Sequence, residues 1–259
     1  MNLLDQTTEA FNSELRIAVL IDADNVSAKY IEPMMQEIAS YGQPTIKRIY
    51  GDWTKPNLNN WKSLLLNQAI IPMQQFSYTT GKNATDSSMI IDAMDILYSG
   101  NVDAFCLVSS DSDFTRLAMR LRESGMTVFG FGERKTPQPF INACDRFIYA
   151  EVLQESDDKA PVVTGQKDNE KKDKSNIDAK TIAMIERAIM VYEDDSGWAD
   201  LGSVGSLIMK LQPSFDTRKY GFSKLSNMLR SVNHFELKLF AVSKKASDKV
   251  AKVRINRKR

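Results

Sequence analysis

Acidic side chains occur in short groups directly after apolar runs in this sequence. Asp111 and Asp113 follow the run Ala104–Val108, and Asp22 and Asp24 end a second run, IAVLIDAD, near the N-terminus. Carboxylates that share one pocket repel one another, and a hard divalent cation bound through oxygen atoms relieves that repulsion. If the two groups meet in space, the chemistry they favour is metal binding.

The elements around these acids are predicted to be alternating strands and helices. Strands are predicted at Leu15–Ile21, Pro44–Gly51, Ile70–Phe76, Ala104–Ser109, Thr127–Gly132 and Arg146–Ala150. Helices are predicted near 27–41, 57–68, 85–99, 112–124 and 137–143. This alternation predicts an α/β fold with a parallel sheet that carries helices on both faces. Such sheets bind ligands at the carboxyl ends of their strands, where both acidic groups are expected.

A further acid, Asp86, lies at the start of the predicted helix 85–99. At 100° per residue it shares a face with the apolar positions of that helix, so it should point inward above the same sheet edge. Asp92 falls off the apolar stripe, towards solvent, and is a weaker candidate for the cluster. We therefore expect Asp22, Asp86, Asp111 and Asp113 to converge.

Each of these acids also has an ordinary structural explanation. Aspartate commonly caps helices, so Asp111 and Asp24 could serve only as caps. The segment Asp22–Asp24 is also similar to the DxD motif of haloacid-dehalogenase phosphatases, in which the first aspartate is a nucleophile. That alternative needs a lysine, for which Lys82 is the plausible candidate, and a cap insertion for which the sequence has no room.

Composition limits the classes of chemistry that the chain can perform. The 259 residues include two cysteines and one histidine, His234, so disulfide frameworks, a Ser–His–Asp triad and multi-histidine metal centres are not expected. We see no signal peptide and no apolar run of membrane-spanning length, and we expect a cytoplasmic protein without membrane contact. Residues 1–155 hold 13 Lys and Arg against 19 Asp and Glu, whereas the remainder holds 21 against 14. A basic half joined to an acidic half suits a polyanionic partner.

The basic half is predicted to be a second, smaller domain. We divide the chain into a catalytic domain at 1–155, a charged linker at 156–176 and a winged-helix domain at 177–259. Three helical segments, starting with the stripe through Ile185 and Ile189, precede two strands predicted at Phe235–Val242 and Val250–Ile255. Three helices followed by such a wing are typical of nucleic-acid-binding domains.

Three ordered motifs resemble the NYN domain, a branch of the PIN-like nuclease superfamily, and its LabA-like members in particular. They read VLIDADN at 19–25, TDSSMIIDAMD at 85–95 and LVSSDSDFTRLAMRLRESGMTVFGFG at 107–132. The resemblance implies a Rossmann-like, PIN-type sheet and a ribonuclease in which carboxylate-bound Mg²⁺ or Mn²⁺ activates water. By motif position it implies that four carboxylates bind the metal: Asp22, Asp86, Asp111 and Asp113. It also implies that Asn25 is the polar companion of the first acid and that Asp92 is a further acid of the helix motif.

The segment 197–237, which contains PSFD and YGFSKL, resembles the OST-HTH (LOTUS) domain, a winged helix linked to RNA or protein contacts. We expect RNA, in single-stranded form, as the partner, with a protein partner and a homo-oligomer left open. Candidate RNA-binding side chains are Trp53, Lys55, Lys82, Lys244, Lys245 and Arg254, and for Trp53 a partly buried position in the fold is an equal alternative. A non-catalytic RNA-binding or regulatory adaptor is the alternative to a ribonuclease.

Overall fold

The computed structural model describes residues 14–76, 84–157, 177–241 and 249–256. The first part of the chain forms a parallel sheet of six strands, as the sequence predicts, in the order β3-β2-β1-β4-β5-β6. Its strands are β1 (Arg16–Asp22), β2 (Gln43–Gly51), β3 (Ile71–Gln74), β4 (Ala104–Val108), β5 (Thr127–Gly132) and β6 (Arg146–Tyr149). The order reverses between β1 and β4, which is where doubly wound sheets bind their ligands.

Helices cover both faces of this sheet. They are α1 (Ile31–Ala39), α2 (Lys62–Asn67), α3 (Ala84–Ser99), α4 (Thr115–Glu123), α5 (Gln138–Ala143) and α6 (Ala150–Asp157). On β1, Ile17 and Val19 point into the core beneath α1, whereas Ala18 and Leu20 point into the core beneath α3 and α4. This alternation is the two-residue period of a strand, and it fixes the face on which each later side chain lies.

The second part of the chain is a small helical domain with an antiparallel sheet, which confirms the predicted winged-helix class. It contains α7 (Ala179–Tyr192), β7 (Ala199–Asp200), α8 (Leu201–Leu211), α9 (Leu225–Arg230), β8 (Phe235–Ala241) and β9 (Lys249–Ile255). The sheet order is β7-β9-β8, so the wing has a third strand that the sequence did not indicate. The residues Ala199 and Asp200 form this third strand. They pair with Val253 and Lys252, and the side chain of Asp200 caps α8 by accepting the Ser203 N–H.

The two domains contact each other at β6, the end strand of the large sheet. The Phe147 N–H donates to the Pro213 carbonyl across 2.9 Å. Beside this contact, the Arg218 guanidinium donates to Glu37 at 2.8 Å and to Asp216 at 2.7 Å. A short 3₁₀ helix, Thr217–Tyr220, carries Arg218 to this position.

Within the described ranges, no helix has the length and apolar character needed to cross a membrane.

Candidate active site

Asp22, the last residue of β1, lies on the same face as Ala18 and Leu20 and so points towards α3. Its side chain is buried, with 1% of the residue exposed. Three donors hold the carboxylate in place. Oδ2 accepts hydrogen bonds from Asn25 Nδ2 and Ser109 Oγ, each at 2.8 Å, and Oδ1 accepts one from the Asp24 N–H at 3.1 Å.

The loop after β4 carries the next two acids. Ser109 Oγ accepts a hydrogen bond from the Asp111 N–H at 3.1 Å, and Asp111 Oδ1 accepts one from the Asp113 N–H at 2.9 Å. Asp111 is therefore the N-cap of the 3₁₀ turn Ser112–Phe114, which leads into α4. This capping bond orients the Asp111 carboxylate and stiffens the turn that carries Asp113. Capping and membership of an acidic cluster are thus compatible for this residue.

Asp86, in the first turn of α3, completes a compact acidic group. One carboxylate oxygen from each of Asp86, Asp111 and Asp113 lies within 4.8 Å of the other two. The pKa of Asp86 is raised to about 6, first by burial and then by the nearby carboxylates of Asp22, Asp111, Asp113 and Asp24. Mutual repulsion of this kind is what a bound divalent cation relieves, so the donor set fits a hard metal ion. We call these three residues the acidic triad.

Asp22 stands behind the acidic triad and is not one of its members within that 4.8 Å. Burial raises the pKa of Asp22, and its bonds from Ser109, Asn25 and Asp24 act in the opposite direction. Both carboxylate oxygens are already bonded to protein groups. Of the four acids expected to converge, the structure brings three side chains into mutual reach and places Asp22 at their buried side. A nucleophilic role for Asp22, which the phosphatase alternative requires, does not suit a carboxylate so enclosed.

Asp92 is placed differently from the sequence prediction. Its carboxylate pairs with the Arg48 guanidinium and accepts the Tyr50 hydroxyl, both from β2, and its side chain is only 16% exposed. It neither faces solvent nor joins the acidic triad. The helix stripe could not reveal this, because the residues beneath Asp92 come from a strand more than 40 positions away in the chain.

The candidate RNA-binding residues have mixed placements. Trp53 is partly buried against the core, and its indole N–H donates to the Met73 carbonyl at 3.1 Å. Lys55 is half-buried at the N-cap of a 3₁₀ helix. Arg254 pairs with Glu236 at 2.6 Å and stacks on the ring of Trp198. The remaining candidates, Lys82, Lys244 and Lys245, lie outside the described residues.

The sequence prediction missed Ser109, which links β4 to Asp22. It lies on the same face as Phe105 and Leu107, directly opposite the end of β1. A hydroxyl at the end of a strand is a common cap or turn residue, so its type carries no specific signal. The register of β1 against β4 would have identified it.

Comparison with known proteins identifies the family to which the chain belongs. Residues 16–154 match the NYN domain, and residues 172–238 match the OST-HTH/LOTUS domain, in that order. The chain belongs to the NYN family. The NYN domain belongs to the PIN-like nuclease superfamily, and the OST-HTH domain is an RNA-binding type.

Individual relatives are more distant. The NYN protein is 28% identical over 123 residues to the uncharacterized protein MJ0482 of Methanocaldococcus jannaschii, a match that covers 46% of this chain. The matched part spans about half of that relative, 48% of its length.

Two solved structures are also similar. One is a protein of unknown function, VPA0982, from Vibrio parahaemolyticus, with 23% identity and a TM-score of 0.45 over 53% of this chain and 94% of that one. The other is a fragment of a protein from Chromobacterium violaceum, with 32% identity and a TM-score of 0.25 over 30% of this chain and 80% of that one.

Proposed function

We propose that this protein is a metal-dependent ribonuclease that hydrolyses phosphodiester bonds of single-stranded RNA. The observation that carries the proposal is the acidic triad: Asp86, Asp111 and Asp113 offer oxygens within 4.8 Å of one another at the point where the strand order of an NYN sheet reverses. Because the chain's single histidine, His234, lies in the other domain, acid and base chemistry at this site depends on carboxylates.

In this proposal Asp86, Asp111 and Asp113 hold the Mg²⁺ or Mn²⁺ ion. The bound ion would supply an activated water molecule and would stabilise negative charge on the phosphate oxygens. Ser109 and Asn25 hold the Asp22 carboxylate in place behind the triad. Its negative charge adds to the negative electrostatic potential at the metal-binding oxygens. Asp111 orients the turn that presents Asp113. Asp22 and Asn25 are thus positioning residues around the three ligands.

The OST-HTH domain would supply the attraction for RNA. The catalytic face is acidic and repels a polyanion until its charge is compensated, whereas the C-terminal half carries an excess of Lys and Arg. The proposed division of labour places cleavage in one domain and RNA retention in the other.

The decisive experiment is cleavage of end-labelled single-stranded RNA with Mn²⁺ or Mg²⁺, with and without EDTA. Asp111→Asn should reduce the rate by at least about 100-fold, because it removes one ligand and its charge. Asp95→Asn is the matched control, because Asp95 is an exposed acid on α3 outside the triad. Cleavage that persists in EDTA or in Asp111→Asn contradicts the proposal. RNA binding without any metal-dependent cleavage by the natural sequence would favour the adaptor alternative.

A further inference from the structure

A cavity of about 310 Å³ opens where the OST-HTH domain meets the NYN domain. It is lined by Arg134 and Tyr149 from the NYN domain, by Val152 at the start of α6, and by Lys219 from the OST-HTH domain. The cavity therefore has two cationic side chains, contributed by different domains, and an aromatic and an aliphatic wall.

Lys219 is held rigidly in this cavity. Its ammonium group lies 4.0 Å from the centre of the Tyr149 ring and donates to the Ser214 carbonyl at 2.6 Å. The pKa of Lys219 is lowered to about 8, chiefly by desolvation; the Asp216 carboxylate opposes this shift and the Arg134 charge adds to it. The two cations are thus close enough to repel each other, which is the electrostatic condition that a bound anion relieves.

The surrounding carboxylates have partners elsewhere, except that Glu151 Oε2 is buried without a hydrogen-bond partner. Asp216 and Glu37 are paired with Arg218, and Glu133 is paired with Lys135. Glu151 accepts the backbone N–H of Arg134 at 2.9 Å, not its guanidinium. Among the residues that the structure describes, no carboxylate forms an ion pair with the side chain of Arg134 or Lys219.

The wing sheet also has cations, and two of them are compensated by acids. Arg254 is paired with Glu236, and Lys252 is paired with Asp194 at 2.9 Å. A phosphate that bound there would have to break these ion pairs. Compared with these two paired cations, the cavity between the domains is the better anion site.

The cavity is close to the acidic triad. Arg134 is the second residue after β5, and the preceding Glu133 donates its N–H to Ser110 Oγ at 2.9 Å, next to Asp111. The ends of β4, β5 and β6 follow one another along the sheet, so the residues after β5 and β6 that line the cavity lie at the same sheet edge as the triad.

From these observations we infer that Arg134 and Lys219 together bind a backbone phosphate of RNA beside the cleavage position, so that the OST-HTH domain completes the substrate groove of the NYN domain. The inference rests on RNA being the ligand, as in the proposed function. Arginine can bind phosphate through two parallel N–H donors, and the fixed ammonium group of lysine adds a point charge.

RNA binding can test this inference separately from cleavage. The full chain carrying Asp111→Asn is titrated into fluorescently labelled single-stranded RNA in EDTA, and the dissociation constant is measured by anisotropy at several salt concentrations. Arg134→Gln and Lys219→Gln are each added to this background, then both together. Lys135→Gln is the matched control, since it removes the same charge from the neighbouring residue, which is paired with Glu133.

We expect each single variant to weaken RNA binding about 3- to 10-fold and to lower the slope of log Kd against log salt by less than about 0.7, the value for one phosphate contact. The double variant should lose less than the product of the two single losses, since both groups contact one phosphate. Lys135→Gln should change binding less than twofold. Lys219→Arg, which keeps the charge, should retain binding and serves as the check on folding.

Unchanged binding in the double variant, or an equal loss in Lys135→Gln, overturns the inference. Metal-dependent cleavage by the natural sequence would leave the proposed function intact in that case. Conversely, binding that depends on Arg134 and Lys219 in a protein that never cleaves RNA would support this inference and contradict the nuclease.

Discussion

The Ser109 hydroxyl donates to Asp22 Oδ2 at 2.8 Å and joins the carboxyl ends of the two strands between which the sheet order reverses. The same hydroxyl oxygen also accepts a hydrogen bond from the Asp111 N–H. One buried serine thus connects the enclosed acid of β1 to the loop that carries two members of the acidic triad.

Replacing that serine should cost stability and activity together. Ser109→Ala leaves a buried carboxylate oxygen with one donor fewer, and we expect a loss of about 1–3 kcal/mol in the free energy of unfolding. Urea denaturation measures this loss, and a lower rate of RNA cleavage should accompany it because Asp111 loses its anchor. Ser112→Ala, at an exposed position in the same loop, should change neither quantity appreciably. A Ser109→Ala protein of unchanged stability would contradict this role.

Asp86 should destabilise the metal-free fold at neutral pH. Its folded pKa of about 6 lies above its ordinary value of 3.8, so the folded protein binds the proton more tightly than the unfolded chain does. The stability that this bound proton gives to the fold is fully present at pH values below the unfolded pKa of 3.8, and it is lost as the pH rises through about 6. Asp86→Asn should therefore stabilise the metal-free protein at pH 7 by about 1 kcal/mol, a figure reduced for solvent screening of a partly exposed group.

Thermal unfolding in EDTA at pH 4 and pH 7 measures this effect. The gain in thermal stability from Asp86→Asn should appear at pH 7 and largely disappear at pH 4. Added Mn²⁺ should stabilise the natural sequence and not the variant. An equal gain at both pH values would show that charge repulsion is not the cause.

Metal affinity should fall in acid for the same reason. Below the Asp86 pKa of about 6, a cation must displace a proton from that carboxyl group. We expect the affinity for Mn²⁺ to weaken by up to about tenfold for each pH unit below 6, as ligand protonation competes. Titration calorimetry at pH 7.5 and pH 5, in buffers of different ionisation enthalpy, measures both the affinity and the released proton. Equal affinities at the two pH values would count against Asp86 as a ligand.

Asp92 should matter for stability and not for metal binding. Asp92→Asn weakens its ion pair with Arg48 and its bond from the Tyr50 hydroxyl, and we expect a loss of about 1–2 kcal/mol in unfolding free energy. The Mn²⁺ affinity should stay within twofold of the natural value. A large loss of metal affinity at unchanged stability would restore Asp92 to the cluster.

Arg218 should couple the unfolding of the two domains. Its side chain is 26% exposed and binds two carboxylates, so Arg218→Ala leaves Glu37 and Asp216 uncompensated. We expect a loss of about 2–3 kcal/mol, below the figure for fully buried pairs because the site is partly open.

Scanning calorimetry should then show two transitions, whereas we expect the natural sequence to show one. The control is Arg187→Ala, because Arg187 is an exposed cation on α7 whose guanidinium bonds a carbonyl of its own helix. A single transition at an unchanged temperature would mean that the contact at Arg218 does not couple the domains.

The sequence predicted the central strands β1, β4 and β5 well because they are buried on both faces and appear as continuous apolar runs. β4, with all five residues buried, was visible for that reason. α6 was missed, since it begins immediately after β6 without an intervening turn, and its few apolar positions, such as Val152 and Leu153, form too short a pattern.

The site was predicted only in part. Motif spacing brought Asp86, Asp111 and Asp113 to one sheet edge, since helix phase and strand ends are local properties. The partners of Asp92 and the contact of Arg218 with Glu37 are not local, because they depend on which surfaces meet after folding. For the same reason no pattern in the sequence pairs Arg134 with Lys219.

The hydrogen bond from Phe147 to Pro213 also has a consequence for self-association. β6 is the last strand of its sheet, and an unprotected end strand offers free backbone groups to a strand of another molecule. The OST-HTH domain occupies part of that edge with a proline, whose missing N–H cannot extend the ladder further. The winged-helix domain therefore covers part of the edge of β6 and disfavours β-pairing with another molecule. This effect does not depend on RNA binding.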